Sequence, residues 1–193
     1  FRITNQNTGV EYNYIQRAID NATIGANISL SSGEYNENII IDKRINLTGV
    51  DSDSTIIIAV GGGSGSPPLY DSSLPGINVT ADNAVIVDIQ VRDFDTGIRV
   101  DGADGVRLSD VKVLDSKGVG IDVLQSENVL IESVYVSGSS EDNIRADSSS
   151  HQITIRDTIS VDSSNAGIAI ASDGAFVDNA TLSSNDLYGC HLS

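Results

Sequence analysis

Six short segments of this 193-residue chain repeat one pattern of apolar and polar positions. They are Gly76-Ile-Asn-Val79, Gly97-Ile-Arg-Val100, Gly120-Ile-Asp-Val123, Asn143-Ile-Arg-Ala146, Gly167-Ile-Ala-Ile170 and Gly189-Cys-His-Leu192. The second and fourth positions are apolar or small, and the third varies. The starts are separated by 21, 23, 23, 24 and 22 residues. Alternation with a period of two predicts a short strand with one buried face. A second set of triplets follows: Val85-Ile-Val87, Val106-Arg-Leu108, Val129-Leu-Ile131 and Ile153-Thr-Ile155. A third comes next: Ile89-Gln-Val91, Val111-Lys-Val113, Val134-Tyr-Val136 and Ile159-Ser-Val161. Turn formers such as Asp101-Gly-Ala-Asp104-Gly105, Ser137-Gly-Ser-Ser140 and Asp147-Ser-Ser-Ser150 separate the strands.

Three strands per period exclude a helical repeat. The Leu-x-x-Leu-x-Leu pattern of leucine-rich repeats is missing, and so is the six-residue beat of a left-handed β-helix. The pattern predicts an all-β chain, a right-handed parallel β-helix (solenoid) of about seven coils, with each strand pairing with its counterpart one period on. Ile77, Ile98, Ile121, Ile144, Ile168 and Cys190 then stack as one interior row, and Val79, Val100, Val123, Ala146, Ile170 and Leu192 as another. The outward row reads Asn78, Arg99, Asp122, Arg145, Ala169, His191. Its centre is expected to be a ladder of alternating charge.

Before the repeats, residues 11–23 place Ile15, Ala18, Ile19 and Ala22 on one helical face, with Gly25 as a stop. Such a helix is expected to cap the open end of the coil. Strand-like runs follow at 27–30, 38–41, 45–48 and 55–59. Residues 60–76, rich in Gly, Ser and Pro, interrupt the strands and read as an inserted loop, with Leu69 and Tyr70 as candidate anchors for a partner. The regular coils run over 76–192, and the whole chain, 1–193, reads as one domain. Tyr14-Ile-Gln-Arg-Ala-Ile-Asp20, Ile28-Ser-Leu30, Gly33-Glu-Tyr-Asn-Glu37, Ile39-Ile-Ile41, Ile45-Asn-Leu-Thr-Gly49 and Thr55-Ile-Ile57 resemble the opening of pectin-lyase-like β-helix proteins. That superfamily holds pectate lyases, pectin methylesterases, polygalacturonases and repeat-bearing surface proteins of archaea and bacteria. The resemblance implies the fold and leaves the activity open.

Composition supports a core of stacked aliphatics. Apolar residues make up 39% and aromatics 5%, with no Met or Trp. The formal charge of −16 repels nucleic acid and anionic lipid. No apolar run is long enough to cross a bilayer as a helix. A chain that begins at Phe1 and holds no Met reads as a processed product or a fragment.

Candidate sites are sparse. The Asn-Thr-Asp, Gly-His-Gly and Arg-Ile-Lys motifs of polygalacturonase-like enzymes are missing, as is a methylesterase-like Gly-x-x-Asp-Phe-Ile-Phe-Gly segment. No catalytic residue is assigned. Asp101 and Asp104 are the candidate ligands for calcium, which wants six to eight oxygens; no other cofactor is expected. His151 and His191, 40 residues apart, fall on different strands and are not expected to pair. Five sequons, at Asn21, Asn27, Asn46, Asn78 and Asn179, are candidate glycan acceptors in an exported chain. Cys190 cannot form an internal bridge and reads as a buried small hydrophobe or an intermolecular link. Cys190, His191 and Leu192 lie in a last partial coil that a following segment or a second subunit is expected to cover.

Together these features favour a non-catalytic structural protein of a cell surface, in a surface layer, sheath or extracellular filament. Its expected partners are copies of itself. The alternative is an extracellular β-helix that binds carbohydrate or cleaves polyuronate.

Overall fold

The computed structural model describes residues 2–59 and 71–192. The described residues wind into a parallel β-solenoid with three sheets. The first sheet holds nine strands: Val10–Tyr12, Ile3–Asn5, Ala26–Leu30, Ile45–Thr48, Val85–Val87, Arg107–Ser109, Leu130–Glu132, Thr154–Arg156 and Phe176–Asp178. The second holds seven: Gly33–Tyr35, Thr55–Ile58, Gln90–Arg92, Lys112–Leu114, Tyr135–Ser137, Ile159–Val161 and Thr181–Ser183. The third also holds seven: Ile39–Ile41, Ile77–Val79, Ile98–Asp101, Ile121–Leu124, Ile144–Ala146, Ala166–Ile170 and Tyr188–Leu192. Residues 60–70 of the expected insertion, including Leu69 and Tyr70, lie outside the described residues.

The expected columns are present. Ile77, Ile98, Ile121, Ile144, Ile168 and Cys190 pair in register, as do Val79, Val100, Val123, Ala146, Ile170 and Leu192. Ile39 and Ile41 extend both columns by one layer. Most members are fully buried. Two triplets sit one residue from the expected alignment. Ala84 and Ile86, not Val85 and Val87, face inward. The turn residue Asn83, at φ 55° and bonded to the Asp104 carbonyl, brings Ala84 into the interior. Likewise Thr158 and Ser160 face inward while Ile159 is exposed.

Glycine begins most third-sheet strands because the backbone there passes close to the next coil. A Cβ on Gly120 would lie 2.5 Å from the Asn143 carbonyl oxygen and 2.6 Å from Val136 Cγ1. Asn143 stands in this position one coil later. It fits because Ser160 replaces the valine that would oppose it. The Asn143 amide donates to Ser160 Oγ (3.0 Å) and the Val161 carbonyl (2.8 Å), and accepts from the Ser139 N–H (3.3 Å). A small hydroxyl thus lies in the core because a neighbour needs both its space and its oxygen.

From Val85–Val87 onward, first-sheet strands pass to the second sheet through a corner of one left-handed residue, whereas Ile45–Thr48 reaches Thr55–Ile58 through the longer turn 49–54. The corner residues are Asp88, Asp110, Ser133, Asp157 and Asn179, with φ between 48° and 59°. Asp and Asn tolerate this conformation better than most residues. Burial pushes the Asp88 carboxyl above its usual range, with the nearby charges of Asp110 and Asp51 acting in the same direction.

The N-terminal end differs most from expectation. The helix covers only Ile15–Asp20, not 11–23. Val10–Tyr12 instead forms a strand, joined by a turn at Gly9 (φ 72°) to an antiparallel pairing with Ile3–Asn5. This hairpin extends the first sheet beyond Ala26–Leu30. The helix begins at Ile15 because Glu37 caps it from a distance, accepting the N–H groups of Ile15 (2.8 Å) and Gln16 (3.1 Å). Burial pushes the Glu37 carboxyl above the usual range, and the two backbone donors only partly offset it. Gln16 covers the edge of the third sheet, as the capping role required. Its amide accepts the Ile40 N–H (2.7 Å) and donates to the Ile40 carbonyl (3.2 Å), in the manner of a strand neighbour.

The Asn143–Ser160 pair predicts strong coupling. Ser160→Val alone should crowd Asn143 and lower stability by about 1–3 kcal/mol. Asn143→Gly alone should cost a similar amount by removing donors from buried carbonyls. The double variant restores the Gly120–Val136 arrangement, so its loss should fall short of the sum by about 0.5–3 kcal/mol. Urea unfolding of the four proteins measures this; additive losses would contradict the packing account.

Candidate functional site

The outer face of the third sheet is the candidate site. Its outward row, Ile40, Asn78, Arg99, Asp122, Arg145, Ala169 and His191, runs in register along the axis. Strand spacing puts successive members about 4.8 Å apart. Asp122 lies between the two arginines and is only 1% exposed. Arg145 binds it with two parallel bonds, Nε to Oδ1 at 2.9 Å and Nη2 to Oδ2 at 3.1 Å. Arg99 is held more loosely. Its Nε lies 3.7 Å from Asp122 Oδ2, within ion-pair range but beyond a hydrogen bond, and has no hydrogen-bond partner among the described residues. Arg145 also meets Glu141 at 3.3 Å. Burial works against the Arg145 charge, but the Asp122 hydrogen bonds and the surrounding carboxylates outweigh it and raise the guanidinium pKa.

Recesses flank this ladder. On the N-terminal side, a notch of about 200 Å³ lies between Gln16, Asn38, Ile40, Leu74, Pro75 and Asn78. Beyond Gln16 it adjoins a wider hollow of about 450 Å³ that includes Tyr14, Arg17 and Glu37. On the C-terminal side, a shallow hollow of about 300 Å³ is lined by Arg145, Asp147, Ala169, Ala171 and His191. Arg17, Arg99 and Arg145 therefore punctuate a continuous strip of surface.

A second acid-between-arginines ladder serves as an internal comparison. On the first sheet, Glu132 is flanked in register by Arg107 and Arg156 and contacts both. Hydrogen bonding from Arg156 and the field of Arg107 hold its carboxyl below the ordinary 4.5, against the upward push of burial. The two ladders occupy the same three coils and both fix register. What distinguishes the third-sheet ladder is its flanking recesses and the looser hold on Arg99.

Other candidates are not drawn together. Asp104 is exposed and accepts a bond from Asn128 Nδ2 (2.9 Å), while Asp101 ends the strand Ile98–Asp101. Among the described residues no cluster of three or more His, Cys, Asp or Glu is placed to hold a metal. His151 bridges between Glu127 and Asp173 at the turn before the first sheet, remote in the winding from His191. His191 stacks on Tyr188, with ring centroids 5.1 Å apart. Cys190 occupies the interior isoleucine column but is exposed in the outermost layer, together with His191 and Leu192. The sequon side chains are partly engaged. Asn21 donates to the Arg17 carbonyl (2.8 Å), Asn46 to Asn27 (2.7 Å) and Asn179 to Asp157 (2.6 Å). Asn78 differs, since its Oδ1 is buried with no hydrogen-bond partner among the described residues. Spacing alone did not mark the notch around Asn78, because Gln16, Ile40 and Leu74 come from three separate segments.

A family model described as "Right handed beta helix region" matches residues 68–193. A search of curated proteins found no match. Several solved structures share the fold. The A-module of a mannuronan C-5 epimerase from Azotobacter vinelandii superposes with a TM-score of 0.71 at 17% identity, covering 91% of this chain and 52% of that one. An alginate lyase from Paenibacillus sp. gives 0.64 at 14% identity, covering 86% and 72%. A pectin methylesterase solved in complex with a hexasaccharide gives 0.61 at 15% identity, covering 90% and 64%. The chain thus spans about half of the epimerase module and under two-thirds of the methylesterase. At these identities the likeness is one of fold.

Two predictions test the ladders. Asp122→Ala leaves two arginines facing each other across the strands and should lower stability by about 1–3 kcal/mol in urea unfolding, with the far-ultraviolet spectrum retained. Because the Glu132 carboxyl titrates lower in the folded than in the unfolded chain, its contribution is present above about pH 4.5 and lost as pH falls through the folded value. The melting temperature of Glu132→Gln should lie below that of the parent at pH 7, and the gap should close on acidification. A gap independent of pH would contradict the charge assignment.

Proposed function

The chain belongs to the right-handed β-helix family, within the pectin-lyase-like superfamily, and from that premise we propose that it is an extracellular carbohydrate-binding protein. Its ligand is an acidic glycan lying lengthwise on the outer face of the third sheet. The observation that carries this reading is the loosely held Arg99, set between recesses, whose side chain is 33% exposed and meets Asp122 only at 3.7 Å. A guanidinium with spare donors suits a carboxylate. The strip is linear, and its period follows from the strand spacing, so a polymer can meet the same chemistry at successive coils.

The comparisons support the reading through the company the fold keeps. An epimerase of mannuronan, an alginate lyase and a pectin methylesterase bound to a hexasaccharide are all β-helices that handle glycans. The self-assembling scaffold expected from the sequence receives no comparable support. The net charge of −16 places most of the surface in opposition to an acidic polymer. Binding therefore concentrates where Arg17, Arg99 and Arg145 project.

Titration calorimetry with oligogalacturonate and oligoalginate tests the proposal. The parent should bind at least one of them. Arg99→Gln should weaken that binding about tenfold while leaving the melting temperature within a few degrees. Release of reducing or unsaturated ends in the same mixtures would add catalysis to binding. Absence of binding to acidic glycans, or an Arg99→Gln variant that binds as well as the parent, would overturn the assignment.

A further inference from the structure

We infer that the outer face of the second sheet docks a cationic polypeptide, a protein segment that carries apolar side chains between lysines or arginines. This face is separate from the arginine ladder and does not depend on the glycan reading. Inward positions of the sheet hold Val113, Val136 and Ser160, all buried. The outward rows pair Tyr135 with Ile159, and Ser137 with both Leu114 and Val161. Ile159 is 43% exposed, and Leu114, Tyr135 and Val161 are partly exposed. Packing does not require these side chains to be apolar. One coil later the partners of Ile159 and Val161 are Thr181 and Ser183, and threonine suits a strand as isoleucine does. Aliphatic residues on the outside of a coil that holds Ser160 in its core reverse the usual partition. Such a reversal, clustered in register, points to a contact surface.

Charge identifies the occupant. Asp110 and Asp115 bracket the strand Lys112–Leu114, and Asp157 and Asp162 bracket Ile159–Val161. All four are exposed left-handed residues, with φ between 51° and 57°. The strand between, Tyr135–Ser137, is bracketed by Ser133 and Gly138 instead. The apolar cluster therefore sits inside a frame of carboxylates whose two ends lie two strand spacings, about 9.6 Å, apart. No hydrogen bond or ion pair with another described residue engages the carboxylates of Asp115 and Asp162. Those of Asp110 and Asp157 accept only neutral donors, Ser109 Oγ (2.8 Å) and Asn179 Nδ2 (2.6 Å). The cations of this sheet are committed elsewhere, Lys112 to Asp53 and Arg92 to Asp93. An acidic frame around an apolar centre is complemented by apolar side chains flanked by positive charge. A second copy of this chain would set carboxylate against carboxylate, and an anionic glycan or bilayer would meet the same repulsion. A cationic segment neutralises the frame and covers Tyr135, Ile159 and Val161 in one contact.

Calorimetry on the whole protein with three end-blocked peptides tests this. The probe is Lys-Lys-Leu-Ser-Leu-Ser-Leu-Lys-Lys. One control replaces its leucines with serine, and the other replaces its lysines with glutamate. The probe should bind, and each control should bind about tenfold or more weakly. Ile159→Thr combined with Val161→Ser, the residues of the next coil, should weaken the probe about tenfold and leave the melting temperature within a few degrees. Asp115→Asn combined with Asp162→Asn should also weaken it and reduce the salt dependence of binding; asparagine tolerates the left-handed conformation, so the fold is kept. Failure of the probe to bind, equal affinity for either control, or affinity unchanged by either pair of substitutions would overturn the assignment. A concentration-dependent dimer, seen by sedimentation and abolished by Ile159→Thr with Val161→Ser, would give the face to a second copy and overturn it as well.

Discussion

A parallel strand of three or four residues has few backbone bonds of its own, and it holds its place only if the strand one coil later lies in register. Every stabilising element in this protein serves that requirement. Aliphatic columns such as Ile98, Ile121 and Ile144 are buried only when successive coils agree to the residue. A slip by one position would turn each of these side chains to solvent. Glycines at the entries to the third sheet let the next carbonyl approach within a distance that a methyl group would forbid. Where the rule is broken, at Asn143, the neighbouring coil gives up a valine for Ser160, and the lost apolar contact is replaced by a set of hydrogen bonds.

Charge works to the same end on the outside. Asp122 and Glu132 each sit between arginines contributed by the coils before and after. Like charges would meet if a coil were shifted or lost, so both ladders favour the native winding over its near alternatives. This structural role does not preclude recognition. A carboxylate that engages Arg145 through two bonds leaves Arg99 only partly neutralised, and the same ladder that locks the coil leaves a partly exposed guanidinium. On the first sheet Glu132 contacts both of its arginines, so that ladder offers less to a ligand.

The regular coils were legible because period-two alternation and a repeat of 21 to 24 residues leave few architectures open. The outward row was legible for the same reason. The two misplaced triplets have a local cause. Val85, Val87, Ile159 and Val161 lie on the solvent side although they are apolar, and the turn residues Asn83 and Asp157 decide the phase instead. The N-terminal hairpin was hidden because Val10–Tyr12 reads equally well as the first turn of an amphipathic helix. Only Gly9 signals the reversal. Glu37 and Gln16 act across 21 to 24 residues of sequence, beyond the range of any local pattern. The Asn78 notch depends on such distant convergence, which explains why composition and motif gave no sign of it.

The single left-handed residue between the first and second sheets has a further implication. From Val87 to Gln90, Ser109 to Lys112, Glu132 to Tyr135, Arg156 to Ile159 and Asp178 to Thr181, the step is the same; one coil earlier, Thr48 to Thr55, it is longer. Such a corner has no slack. Across these five coils, differences in length are therefore absorbed at the other two corners, and both of those border the third sheet. Segments that lengthen there become banks along that sheet, while over these coils the opposite ridge of the solenoid stays bare. The geometry thus nominates one side of the rod as the place where new specificity can be built without disturbing the winding, and it is the side on which Arg99 and the Asn78 notch are found.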